Sequence, residues 1–167
     1  MKKVLFGILF CSGFLFLEGC KGTDPVCTPQ VPESKLTGID QEQLTKDIEK
    51  IDAYLISKGI TAQSEPNGTR YVITTLGTGD KIPCLENKLT IAYNGKIMGS
   101  GTVFDSSTNA SFKLSGLILG WQLVLPLIPG GSKVTLYIPS GYAYGNSVAA
   151  NGKIPANANL VFEIELL

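Results

Sequence analysis

The sequence predicts an α+β domain: a curled antiparallel sheet of about five to six strands wrapped around one short helix and preceded by an N-terminal helix. Three observations carry this. Nineteen glycines and nine prolines require many turns, and so a loop-connected sheet. Apolar residues recur at helical spacing in one early stretch, residues 41–58. After Thr69 the pattern is strand and turn, interrupted by one helical segment, Leu117 to Leu125, which Pro126 stops.

At 167 residues the chain has room for one ordinary domain plus a leader. Lys2 and Lys3 form a positive start, and Val4 to Leu17 is an apolar run of fourteen residues. A bilayer core needs about 20, so the run suits a signal peptide, residues 1–19. It closes on Leu17-Glu18-Gly19-Cys20, which resembles a bacterial lipobox with Cys20 as the lipidated residue. Glu18 departs from that pattern, and ordinary secretory cleavage or a retained anchor is the alternative. Either way the chain is expected to be exported, and as a lipoprotein it would sit in the cell envelope.

Residues 20–38 are small, polar and proline-rich and read as a tether. In the helical spacer, residues 39–60, Leu44, Ile48, Ile51 and Leu55 form one stripe. Asp40 and Gln43 stand as a capping box and Gly59 as the stop. The stripe packs either on the domain that follows or on a second copy, as a weak dimer through residues 41–58. Arg70 to Leu76, Leu89 to Tyr93, Lys133 to Ile138 and Leu160 to Leu167 read as strands, and Gly77-Thr-Gly-Asp80 as a turn. Residues 61–167 are thus the functional domain.

Composition excludes several functions. Formal net charge is zero and no run of like charges occurs, which argues against a nucleic-acid surface. No histidine is present, so the commonest general base and neutral metal ligand are missing. With Cys11 in the leader and Cys20 lipidated, Cys27 and Cys84 remain. Export invites a disulfide between them; two free thiols are the alternative. Two cysteines without histidine do not complete a usual four-ligand metal site.

Five segments carry a more specific signal: Ile91-Ala-Tyr93-Asn-Gly95; Gly101-Thr-Val-Phe104-Asp105-Ser106-Ser107; Leu117-Ile118-Leu-Gly120-Trp121; Tyr137-Ile-Pro-Ser-Gly-Tyr142-Ala-Tyr144-Gly145; and Ile154-Pro155 through Leu160-Val-Phe162. In order and spacing they resemble the FKBP-type peptidyl-prolyl cis/trans isomerases over residues 69–167. The resemblance implies an isomerase without cofactor that acts on proline-containing polypeptides and binds macrolide inhibitors. It implies Trp121 as the pocket floor, with Tyr93, Phe104, Leu117, Ile118 and Phe162 around it and Ile154 on an overhanging loop. It also implies the Ile118 N–H and the Tyr144 hydroxyl as donors to substrate carbonyls, and Asp105 at the pocket edge facing the twisting amide. Taken singly, such aromatics are more often core than site, and Asp105 before serines reads as a turn; the joint pattern reverses this.

Departures from the family also stand out. The segment from Asp105 to Gly120 is short, Ala110 stands near a position of another aromatic wall, and Gly116 near an acidic one. Ala149 and Ala150 occupy the overhanging loop. A shallower, wider pocket is expected, with altered macrolide affinity. A non-catalytic proline-binding module or chaperone is the competing function, and a purely structural envelope lipoprotein the third.

Overall fold

The computed structural model describes residues 27, 30–82 and 84–167. The leader, Cys11 and Cys20 lie outside these residues.

Helix α1 spans Gln41–Lys58. The Asp40 carboxylate accepts from the Gln43 N–H at 3.0 Å, satisfying one of the free N–H groups of the first turn. Gly59 ends the helix in the left-handed region at φ 63°, where a side chain would be strained. Only half of the expected capping box forms, because the Gln43 side chain donates to Asp47 (2.8 Å) rather than turning back.

Six strands follow: β1 Gln63–Ser64, β2 Arg70–Thr75, β3 Lys88–Ile97, β4 Val103–Lys113, β5 Lys133–Ile138 and β6 Leu160–Leu166. They form one sheet in the order β1-β2-β5-β6-β3-β4, antiparallel throughout. Irregularities in register fall at Ile73/Thr75, Ile91/Tyr93 and Gly95/Lys96. Bulges of this kind bend strands and increase twist, which curls the sheet. Into the concave face fits α2, Leu119–Val124. It starts two residues later than expected because Leu117 and Ile118 remain extended. Pro126 lies in a 3-10 turn, Leu125–Leu127, directly after the helix.

The two sheet faces bury different partners. Val134, Leu136, Ile138, Leu160, Phe162 and Ile164 enclose Trp121, Val124 and Leu125 in the main core. On the opposite face Tyr137, Val72 and Val161 meet Ile51 and Leu55 of α1. Helix α1 therefore packs on its own sheet, and the stripe that a dimer through residues 41–58 would need is covered. Arg70 strengthens the docking with a two-pronged contact to Asp52, 2.9 and 3.1 Å, in the planar geometry that favours guanidinium–carboxylate pairs.

The segment before α1 departs from a free tether. Val31, Leu36 and Ile39 pack against the main core, although polar neighbours mask them in sequence. Cys27 is joined to Cys84, with Cα atoms 5.2 Å apart.

Because Ile51 is fully buried, Ile51→Ala should cost about 2–5 kcal/mol in urea unfolding. The loss should not depend on protein concentration. A concentration-dependent midpoint would instead place the stripe in a dimer seam.

Candidate functional site

A pocket of about 180 Å³ opens where α2 meets the curled sheet, lined by Tyr93, Phe104, Asp105, Phe112, Leu117, Ile118, Trp121, Tyr144 and Phe162. Two of the wider depressions among the described residues lack this convergence. One, about 480 Å³, carries Lys133 and Glu165, which are paired at 3.0 Å. The other, about 650 Å³, runs between residues 30–36 and α2.

Trp121 is 3% exposed. Rings stand almost perpendicular to it: Phe162 at 5.0 Å and 88°, Tyr93 at 5.6 Å and 78°. Phe104 meets Phe162 the same way, at 5.5 Å and 87°. Edge-to-face contacts set positive ring edges against negative faces. Glycine makes the arrangement possible. A Cβ at Gly95 would lie 2.7 Å from both Phe104 and Phe162, so any larger residue would push the rings apart.

The bulges explain how strand β4 supplies so much of the wall. Neighbours in a strand point to opposite faces, yet Phe104 and Asp105 both line the pocket. Here the register passes from Gly95↔Asp105 to Lys96↔Val103, leaving Phe104 as the extra residue. A second irregularity, between Ile91↔Ala110 and Tyr93↔Ser107, re-phases the strand. Phe112 thereby reaches the pocket seven residues after Asp105, and its ring lies 6.2 Å from Tyr93.

The polar groups sit at the rim. Tyr93 Oη donates to Asp105 Oδ2 at 2.7 Å, and Asp105 Oδ1 accepts from the Ser106 N–H at 2.9 Å. Burial, and then the nearby Asp105 carboxylate, push the Tyr93 phenol up to about 12. Tyr144, 40% exposed, is also raised, by burial first and Asp105 second. Gln122 holds the wall next to them. Its side-chain amide donates to the Leu117 carbonyl (2.5 Å) and the Ser115 carbonyl (3.3 Å), while Lys35 donates to its oxygen at 3.4 Å. The Ile118 carbonyl accepts from the Trp121 and Gln122 N–H groups. Among the described residues no acceptor takes the Ile118 N–H.

Asp105, Tyr144, Ile118, Tyr93, Phe104, Leu117, Trp121 and Phe162 are thus brought together. Ile154 is not among the lining residues. It is 1% exposed in the main core, and its N–H and carbonyl both bond Ala149. Sequence reasoning missed Phe112, which supplies an aromatic wall two residues beyond Ala110, and gave Gly95 no role. A ring cluster beside a glycine at mid-strand was the available signal.

The sequence pattern described as FKBP-type peptidyl-prolyl cis-trans isomerase matches residues 79–167. The FKBP-type peptidyl-prolyl cis-trans isomerase FkpA of Aeromonas hydrophila is 36% identical over 145 residues, 81% of this chain and 53% of that protein. Outer membrane protein MIP of Legionella longbeachae is 38% identical over 106 residues, 61% of this chain and 44% of that protein. The chain spans about half the length of these relatives. Among solved structures, a peptidyl-prolyl cis-trans isomerase from Pseudomonas syringae superposes with a TM-score of 0.63 at 31% identity, covering 78% of this chain and 96% of that one.

A phenol raised in the fold keeps its proton longer than in the unfolded chain, so stability present below pH 10 should fall as pH rises toward 12. Ultraviolet titration should show a late tyrosine step near pH 12 that Tyr93→Phe removes. A step that persists in that variant would assign the shift elsewhere.

Proposed function

The chain belongs to the FKBP-type peptidyl-prolyl cis-trans isomerase family, and on that premise we propose that it turns X–Pro bonds of exported polypeptides in this pocket. The observation that carries the reading is the apolar box over Trp121 with Asp105, Tyr144 and the Ile118 N–H at its rim.

The amide bond to be turned has a barrier of about 18–20 kcal/mol, set by its partial double-bond character. Uncatalysed isomerisation takes tens to hundreds of seconds, slow enough to limit folding. No covalent bond breaks, so the reaction asks for no nucleophile. Twisting removes the resonance, which lowers the carbonyl dipole and pyramidalises the nitrogen. An apolar enclosure therefore disfavours the planar ground state more than the twisted one, and this difference is what accelerates the reaction.

In the proposed arrangement the proline ring lies over the Trp121 indole, walled by Phe104, Phe112 and Phe162. The Ile118 N–H and the Tyr144 hydroxyl hold the flanking carbonyls. Asp105, kept in place by the Tyr93 hydroxyl, faces the rotating amide. A macrolide inhibitor would compete for the same enclosure, and Phe112 restores an aromatic wall that Ala110 left open.

The remaining assignments are supported by sequence. Residues 1–19 act as an export signal, Cys20 carries the lipid, and residues 20–38 lead to α1 and the isomerase domain in residues 61–167. The name of the Legionella relative supports an envelope setting. An oxidising compartment there would maintain the Cys27–Cys84 bond.

Relaxation of a cis X–Pro tetrapeptide should be accelerated by residues 21–167. Tyr144→Phe should reduce kcat/KM about 2- to 10-fold, the worth of one neutral hydrogen bond. Asp105→Ala should reduce it about 10- to 100-fold, as expected for a charged group. A folded chain that binds proline peptides without accelerating relaxation would be a binding module. Separately, reduction of Cys27–Cys84 should lower unfolding free energy by about 2–5 kcal/mol. No change on reduction would contradict a structural role for the bond.

A further inference from the structure

Asp47 is the one acidic side chain among the described residues that is fully buried, and nothing in the pocket chemistry uses it. It lies in the middle of α1. Its Oδ2 accepts from both the N–H (3.0 Å) and the hydroxyl (2.5 Å) of Ser140. Its Oδ1 accepts from Gln43 Nε2. Asn159, just before β6, donates to the Asp47 carbonyl at 3.3 Å and accepts from the Ser140 N–H at 3.1 Å. A buried carboxylate is costly unless it is well hydrogen-bonded, and here two of its three donors belong to Ser140.

Ser140 in turn governs the segment that carries Tyr144. Its carbonyl accepts from the Ala143 N–H at 2.9 Å and from the Gly145 N–H at 2.8 Å. These are the two neighbours of Tyr144. Gly145 bends the chain at φ 58°, and its carbonyl accepts from the Asn157 N–H at 2.7 Å. Tyr144 itself is 40% exposed, so packing alone holds its ring weakly. An unbroken path thus runs from the Asp47 carboxylate through Ser140 to the backbone on both sides of a phenol that lines the pocket.

We infer that Asp47 is a positioning residue: through Ser140 it fixes the Tyr144 segment at the pocket, making α1 a working part of the isomerase rather than a spacer. The catalytic half of this inference rests on the proposed isomerase reading. The structural half does not.

Amide hydrogen exchange and isomerase kinetics on the same full-length variants test the two halves. In Asp47→Ala, exchange at Ala143 and Gly145 should quicken about tenfold or more, because the buried Ser140 hydroxyl loses its acceptor and its N–H keeps only Asn159. Amides of β3 and β6 should stay protected. Asp47→Asn, of the same shape, serves if the alanine variant does not fold. Kinetically, the Asp47 change should lower kcat/KM several-fold in the wild-type background and have little effect on top of Tyr144→Phe. Such non-additivity marks action through that hydroxyl. Unchanged exchange at Ala143 and Gly145 in a folded variant overturns the inference. So does an equal loss of activity in both backgrounds. A wild-type chain without isomerase activity overturns the functional reading alone, and the exchange data then decide whether Asp47 holds the segment.

Discussion

The perpendicular stacking of aromatic rings on Trp121 is the constraint on which the rest of the site depends. It can exist only because three unrelated features coincide. Glycine at position 95 leaves room for the Phe104 and Phe162 rings. Two bulges re-aim β4 so that Phe104, Asp105 and Phe112 share one side. A short α2 delivers the indole from below, its Gly120 lying too close to Ile138 for any side chain. The result is an apolar enclosure with the Asp105 carboxylate and the Tyr93 and Tyr144 hydroxyls at its rim. That division is what transition-state binding of a twisted amide requires, since the enclosure penalises polarity while the rim holds the chain.

Helix α1 extends the same logic to the other sheet face. Its apolar side covers Tyr137, Val72 and Val161, its Asp52 grips Arg70, and Asp47 reaches the turn after β5. The helix therefore holds strand β5 and the start of the loop that carries Tyr144 to the pocket.

What could be read from sequence follows physical rules. Helix α1 was legible to its ends, because Asp40 and Gly59 are cap residues whose backbone roles are local. Strands β2, β3, β5 and β6 announced themselves through apolar content. Strand β4 did not: Ser-Ser-Thr-Asn-Ala-Ser shows no alternation, as befits an edge strand interrupted by bulges. The same bulges hid Phe112, whose distance from Asp105 has the wrong parity for a regular strand. Asp47 was invisible because an acid amid a helical stripe ordinarily reads as surface, and its partners Ser140 and Asn159 are 93 and 112 residues away. Most of the pocket emerged from motif resemblance rather than periodicity.

The central claim is that the enclosure over Trp121 turns a proline bond rather than merely holding it. Two-dimensional exchange NMR on an Ala-Pro peptide, with a small fraction of the protein present, tests this most directly. Catalysis predicts cross peaks between the cis and trans forms at mixing times far shorter than the uncatalysed tens of seconds, and their loss in a folded Asp105→Ala, Tyr144→Phe double variant. Broadening of the peptide signals without exchange between the two forms would contradict it, leaving a pocket that binds proline and does not turn it.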